Sequence, residues 1–249
     1  MANFNKTMSE SIFKAPEPTK EKRVPTKEDF TYVNIVNLCG KILKVYPSGK
    51  GYLFLLSCGR FKEVKNKDGL ILRNIIGVYF YGKEGEYYKE HFSPGEFVAV
   101  NGVAQTKIAF EESHTEIWGI SMVSKYNKNR KPIHDMNYVN IRGKIDRSVV
   151  INDNYILLNV YTITDKSHRN LNKESEIKKL TTTYKSITPI GIHCRGNAKE
   201  LIKQYTKGTW VNCKGFVDDK AYMVNNKRKK KMHIIAFDTE VIGQTQIVQ

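Results

Sequence analysis

From Thr31 onward apolar and polar residues alternate. Val36, Leu38, Gly40 and Ile42 fall on one side of an extended chain, and Asn37, Cys39 and Lys41 on the other. A period of two marks a half-buried strand. The pattern returns at Val139, Ile141, Gly143 and Ile145, opposed by Asn140, Arg142 and Lys144, so the second strand turns two cations away from its core. The recurrence extends well beyond one strand. Asn37–Ile42 is echoed by Asn140–Ile145, and Tyr52-Leu53-Phe54-Leu55-Leu56 by Tyr155-Ile156-Leu157-Leu158-Asn159, both 103 residues further on. Gly77–Gly82 and Pro94–Gly102 are echoed by Gly191–Gly196 and Lys207–Gly215, at spacings of 114 and 113. The chain is one β-rich module written twice, the second copy carrying about eleven extra residues between its second and third matched blocks.

Helical spacing of apolar residues occurs once per copy, over Lys83–Phe92 and Asn197–Tyr205, each soon followed by a glycine, Gly95 or Gly208. Each copy therefore reads strand, strand, long loop, strand, short helix, strand, hairpin, strand. Five strands with a helix between the third and fourth is the layout of an OB-fold barrel. The expected fold is all-β with short helices, as two tandem five-stranded OB-fold barrels.

The chain has 249 residues, 40% of them hydrophobic, enough for two cores of ordinary domain size. Residues 1–29 are polar, contain Pro16, Pro18 and Pro25, and mix six Lys/Arg with five Asp/Glu, the pattern of a flexible arm. Ser124–Ile133 holds Lys125, Lys128, Arg130 and Lys131, no acid, and Pro132, which reads as a basic linker. The expected division is an arm over 1–29, a first OB module over 30–123, a linker over 124–133, a second OB module over 134–243 and a short C-terminal tail over 244–249.

Formal charge is +16, which points to a polyanion or a membrane surface as partner. The excess is uneven: +9 lies in residues 134–249 and +4 in the linker, against +2 in residues 30–123. No apolar run approaches the roughly 20 residues that span a bilayer, and the first thirty residues lack a signal-peptide core, so a soluble intracellular protein without a membrane partner is expected. Cys39, Cys58, Cys194 and Cys213 form no CxxC pair and no zinc-type spacing with histidine, so reduced structural thiols are expected, with no metal and no cofactor. No Gly-rich phosphate loop, nucleophile elbow, HExxH element or acid/base constellation is present, and no enzymatic activity is expected.

Val78-Tyr79-Phe80-Tyr81-Gly82-Lys83-Glu84 with Ser93–Gly102, and still more Ile192-His193-Cys194-Arg195-Gly196-Asn197-Ala198-Lys199-Glu200 with Tyr205–Gly215, resemble the bacterial-type single-stranded DNA-binding proteins. The resemblance covers most of 34–123 and 137–241. In that family an apolar strand ends in an aromatic-Gly-Lys turn, a helix follows with Ala-Glu near its start, and a Lys-Gly turn leads into a strand that ends in Gly. Members usually have one such domain and a tail with an acidic, aromatic tip; this chain has two and ends Gly243–Gln249. Relatives with two domains dimerise so that four meet. The resemblance thus implies a homo-oligomer, with a dimer favoured, and a bacterial cytoplasmic setting; variation in tail and domain number among phage and plasmid members points to a mobile element.

Single-strand binders need aromatic platforms beside a cationic track. On the third strand Val78 and Phe80 suit the core while Tyr79 and Tyr81 point outward, and the resemblance puts Tyr81 at the family's aromatic-before-Gly position. Both tyrosines also suit an amphipathic sheet surface. The equivalent pair in the second copy is His193 and Arg195, able to stack or to pair with phosphate. The same alternation directs Tyr52 and Phe54, and Tyr155 and Tyr161, away from their cores. Phe61 lies where the resemblance implies a stacking tryptophan. Lys41, Arg142 and Lys144 are the outward cations of the opening strands. Lys227-Arg228-Lys229-Lys230-Lys231 falls between the last two strands, in the loop that OB domains commonly use to embrace a strand; such a run also suits a solvated hairpin tip or a localisation signal. Trp118 and Trp210 are read as core or interface residues.

The function expected is that of a single-stranded DNA-binding protein that coats and protects exposed strands in replication, recombination or repair, by electrostatic capture followed by base stacking. An RNA-binding OB protein and a structural or assembly adaptor that binds protein through its OB faces are the alternatives. Replication or recombination proteins are the further partners implied.

Overall fold

Apolar residues on one face of each extended segment build the strands. In β1 (Val33–Ser48) Val36, Leu38 and Ile42 are buried, in β2 (Gly51–Cys58) Phe54, Leu56 and Cys58, and in β3 (Asn74–Tyr81) Ile76, Val78 and Phe80. The computed structural model describes residues 30–60, 65–109, 112–124, 135–165, 185–224 and 227–244, and of 107–109, 112–114, 163–165, 185–188, 220–224 and 227–230 it describes the backbone. The basic linker after Ser124, the arm over 1–29 and most of the insertion between Thr164 and Thr188 lie outside the described residues.

Helix α1 (Gly82–His91) follows β3, and β4 (Phe97–Ala109) and β5 (Glu112–Ser124) complete the first copy. The second copy runs β6 (Met136–Asn152), β7 (Tyr155–Asp165), β8 (Lys185–Arg195), α2 (Ala198–Gln204), β9 (Thr209–Val224) and β10 (Lys227–Gln244). Asn197 caps α2, its side chain accepting from the Lys199 N–H at 3.1 Å. After each helix a glycine at positive φ, Gly95 (φ 100°) or Gly208 (φ 87°), donates back to the opening strand, at Ile42 or Ile145, both at 2.8 Å.

Each copy closes on itself. β1, β2, β3, β5 and β4 form one ring and β6, β7, β8, β10 and β9 the other; β3–β5 and β8–β10 are the parallel pairs, and the remaining pairs are antiparallel. These are two five-stranded OB-fold barrels, and closure leaves neither ring an edge strand. Gly40 and Gly143 let the ring curl. A Cβ at Gly40 would lie 2.5 Å from the Ser57 carbonyl oxygen, and one at Gly143 would strike that of Tyr161.

The barrels join through β1 and β6, antiparallel from Val33 opposite Arg142 to Cys39 opposite Met136. Val36 stands opposite Val139, its own echo, so a pseudo-twofold axis passes between them. It recurs in the side chains: Asn34 clasps Ala104 through Nδ2–H to its carbonyl (2.8 Å) and Oδ1 from its N–H (2.9 Å), and Asn137 clasps Val217 in the same way at 2.7 and 2.9 Å. Off the axis Arg73 forks onto Asp135 at 2.7 and 2.5 Å while its Nε–H donates to Ser57 Oγ at 2.8 Å. Asn74 donates to the Val217 carbonyl at 2.9 Å. A planar guanidinium on a carboxylate fixes orientation as well as distance.

One strand corrects the parity expected from sequence. Phe54 is 0% exposed, edge-on to Phe80 at 5.4 Å, and Tyr52 packs against the same core, so neither belongs to the outer surface. A β-bulge explains it. β1 has one register shift, between Ile42 and Lys44; β6 has the equivalent one and another between Val150 and Asn152, just before its turn. The added residue changes the structural spacing in the next strand from 103 to 104, placing Leu53 opposite Tyr79 as Leu157 is opposite His193. A slip of one flips every side chain to the other face. In β7 the expected parity holds, with Tyr155 and Tyr161 half-buried on the outside and Ile156, Leu158 and Val160 in the core.

All four cysteines are free and buried. Burial pushes Cys194 up to about 11 and also raises Cys58 and Cys213, so these three thiols are protonated and unreactive at neutral pH. Two outcomes follow. A thiol-reactive disulfide reagent titrates no cysteine in the folded protein and all four after denaturation. Because these pKa values are raised by folding, their contribution to stability is complete below the unfolded thiol range near ~8.5 and is lost as pH climbs toward the folded values. The melting temperature therefore falls between pH 9 and 11.

Candidate nucleic-acid interface

Outward residues of neighbouring strands line up in rungs across the barrel surface. In the first barrel Leu53, Tyr79 and Trp118 form one rung through the β2–β3 and parallel β3–β5 registers, and Tyr81 lies beside it. The rings touch: Tyr79 and Tyr81 are 4.6 Å apart, and Tyr81 and Trp118 5.3 Å. The Tyr79 hydroxyl donates to the Ser48 carbonyl at the β1–β2 turn, and Trp118 Nε1–H donates to Glu116 Oε2 at 3.2 Å. Their polar ends are held within the protein while the three rings remain partly exposed. Such a surface offers π-faces to unpaired bases.

The second barrel fills the corresponding surface with charge. Arg195 is exposed opposite Tyr155, His193 stands opposite Leu157, and Tyr161 is flanked by Lys144 on β6 and Pro189 on β8. Two aromatic-cation neighbours thus take the place of the aromatic cluster. Lys144 also lies opposite Trp210 on β9, and Arg142 opposite Val33 and Asn212, next to the junction between barrels. Lys41 is exposed on β1, opposite Ser57 and Phe97. The sequence-derived residues are therefore distributed over both barrels: Tyr79 and Tyr81 meet on one, and Tyr155 with Arg195 and Tyr161 with Lys144 on the other. Phe61 lies outside the described residues.

The basic run also differs from its expected setting. Lys227–Lys231 is the opening of β10, paired with β9 from Lys227 opposite Val224 to Lys231 opposite Lys220. It forms one leg of a hairpin arm whose other leg is the end of β9. β6 pairs with β9 no further than Gly215, so the arm passes the last rung of the β6–β9 junction. Pairing with Lys220–Val224 places the cations along a ladder instead of a loop. The side chains of Lys227, Arg228, Lys229 and Lys230 lie outside the described residues.

Two further residues join the surface. Trp118 reaches it because β3 and β5 are adjacent in parallel, a closure between strands far apart in sequence that alternation does not reveal. His233 comes next to His193 through the equivalent β8–β10 closure, at 2.9 Å between ring nitrogens. Trp210 is different: it is buried, edge-on to Phe30 at 5.8 Å and 4.7 Å from Tyr32, an interface residue between the start of the first copy and the second barrel. Among the described residues no group of three or more His, Cys, Asp or Glu is placed to hold a metal ion, and no helix is long and apolar enough to cross a membrane.

The fold and this surface define a tandem OB-fold protein. No protein-family model matches the sequence, and no curated protein matches it. Among solved structures it is similar to the wild-type single-stranded DNA binding protein from Thermus aquaticus, at 10% identity and a TM-score of 0.57 over 88% of this chain and 97% of that one. A deletion variant of the same Thermus protein gives 11% and 0.56 over 88% and 99%. A small single-stranded DNA binding protein from Mycoplasma pneumoniae matches over 39% of this chain at 19% identity and a TM-score of 0.30. The similarity to the Thermus structures extends over both barrels and establishes the tandem OB fold.

Proposed function

We propose that this chain is a non-enzymatic single-stranded DNA-binding protein that coats exposed strands in replication or recombination. The observation that carries the reading is the touching set of Tyr79, Tyr81 and Trp118 on the outside of a closed barrel, in a chain of net charge +16. The Thermus protein with the same tandem fold is named for this activity. Cations of Lys41, Arg142, Lys144, Arg195 and the Lys227–Lys231 leg draw in the phosphates, and the rings then take the bases. Stacking is sequence-tolerant, so little sequence preference is expected.

A homodimer completes the reading. β5, β4, β1, β6, β9 and β10 form a continuous outer face over both barrels, and one of its rungs runs Val123, Ala99, Cys39, Met136, with Val123 52% and Met136 46% exposed. Exposed apolar side chains at the two ends of this rung suit a second copy of the same face. Light scattering at micromolar concentration is expected to give twice the 28.7 kDa chain mass.

Competition between matched oligo-dT, oligo-rU and duplex DNA tests the substrate class. Oligo-dT is expected to displace a labelled oligo-dT at the lowest concentration; preference for oligo-rU would make this an RNA-binding protein. Within this reading Tyr81→Ala should weaken oligo-dT binding by about 1–3 kcal/mol without lowering the melting temperature, since the ring is on the outside. Unchanged affinity in the folded variant would remove the aromatic set from the interface.

A further inference from the structure

The parallel closure of each barrel brings an outward residue of the third strand next to the fifth strand. In the first barrel these are Tyr79 beside Trp118, with Glu116 two positions before it; at the same places the second barrel has His193, Ile235 and His233. His193 Nε2 and His233 Nδ1 lie 2.9 Å apart, with the rings edge-on at 4.8 Å. One ring must donate an N–H and the other must accept it. Both are half-buried, so the pair is within reach of solvent.

The surroundings bear on a proton. Arg195 is two positions along β8, Lys231 two positions before His233 on β10, and Asp218 stands opposite His233 on β9, with Phe216 and Lys220 as its neighbours on alternate positions. On β7 Leu157 stands opposite His193, with Tyr155 and Asn159 to either side. Asp218 favours a charged pair; Arg195 and Lys231 oppose it until an anion arrives. A bound proton between the rings converts N–H···N into a charge-assisted bond, whereas a second proton would set two donors against each other. The pair therefore takes up one proton, in the range where imidazole titrates.

We infer that His193 and His233 form a proton-linked phosphate contact, by which the second barrel grips single-stranded DNA more tightly as pH falls from 8 to 5.5. This inference rests on the reading of that surface as a nucleic-acid interface. A phosphate beside Arg195 favours the protonated pair, and by reciprocity the protonated pair favours the phosphate. The first barrel, with Tyr79 and Glu116 at the places of His193 and His233, has no such histidine pair and no such response.

Fluorescence anisotropy of labelled oligo-dT with the full chain, at constant ionic strength from pH 8 to 5.5, tests this. The parent is expected to gain up to about tenfold in affinity for the one proton. Its slope of log affinity against log salt should steepen by about 0.7. In the double variant His193→Gln/His233→Gln both changes disappear. His193→Tyr, which restores the first barrel's residue, keeps a ring at the site and also loses them, so the test survives a poorly folding double variant. Equal pH dependence in parent and variants, or pH-independent binding by the parent, overturns the inference and leaves the DNA-binding reading intact. Failure of the parent to bind at any pH sinks both.

Discussion

Replacing Lys227, Arg228, Lys229, Lys230 and Lys231 together by Ser is expected to weaken binding to every single-stranded sequence alike. Phosphate contacts position a strand without reading its bases, so the loss carries no sequence signature. Each neutralised phosphate contributes about 0.7 to the slope of log affinity against log salt, so five contacts flatten that slope by up to about 3.5. The largest loss of affinity is at low salt. The pairing of this leg with Lys220–Val224 is made by backbone bonds, which serine preserves, so the melting temperature is expected to stay within a degree or two of the parent. An unchanged slope would move the cationic track to Arg142, Lys144 and Arg195.

Phe54→Ala is expected to do the reverse, destabilising the chain by about 3–5 kcal/mol, as large-to-small changes in a packed core do. Phe54 is wholly buried against Phe80, and the cavity left between β2 and β3 has only backbone-anchored neighbours to fill it. Chemical denaturation reads this as a lower midpoint with an unchanged slope. If Phe54→Ala instead left stability intact and abolished binding, the parity assigned to β2 would be reversed. With Tyr81→Ala the pair separates core from surface on two neighbouring strands.

That contrast also shows what alternation can and cannot reveal. The opening strands were legible because Val36, Leu38, Gly40 and Ile42, and their echoes, keep a strict period of two, and the glycines stand where the strand backbones approach. The helices were legible because each follows the third strand and precedes a glycine turn. Phe54 was misread for a local reason: Tyr52-Leu53-Phe54-Leu55-Leu56 is apolar throughout, so no polar residue marks its outer face, and the shift comes from a bulge near Val150 in the other copy. Trp118 and His233 depend on parallel pairings between strands separated by a helix and a hairpin, and the register of such pairs is set by barrel closure. The pseudo-twofold junction escaped for a similar reason. Asn34 and Asn137 look like ordinary polar positions in sequence, and their role as paired clasps on Ala104 and Val217 needs the fold.

The central claim joins two physical terms, rings that stack and cations that hold phosphate. Titration of the full chain with poly-dT at a series of salt concentrations, read through quenching of its Tyr and Trp fluorescence, measures both at once. The expected result is strong quenching on saturation, as bases cover Tyr79, Tyr81 and Trp118, with log affinity falling linearly against log salt. Absence of quenching together with an affinity indifferent to salt would contradict the account and leave the tandem barrels as a protein-binding scaffold.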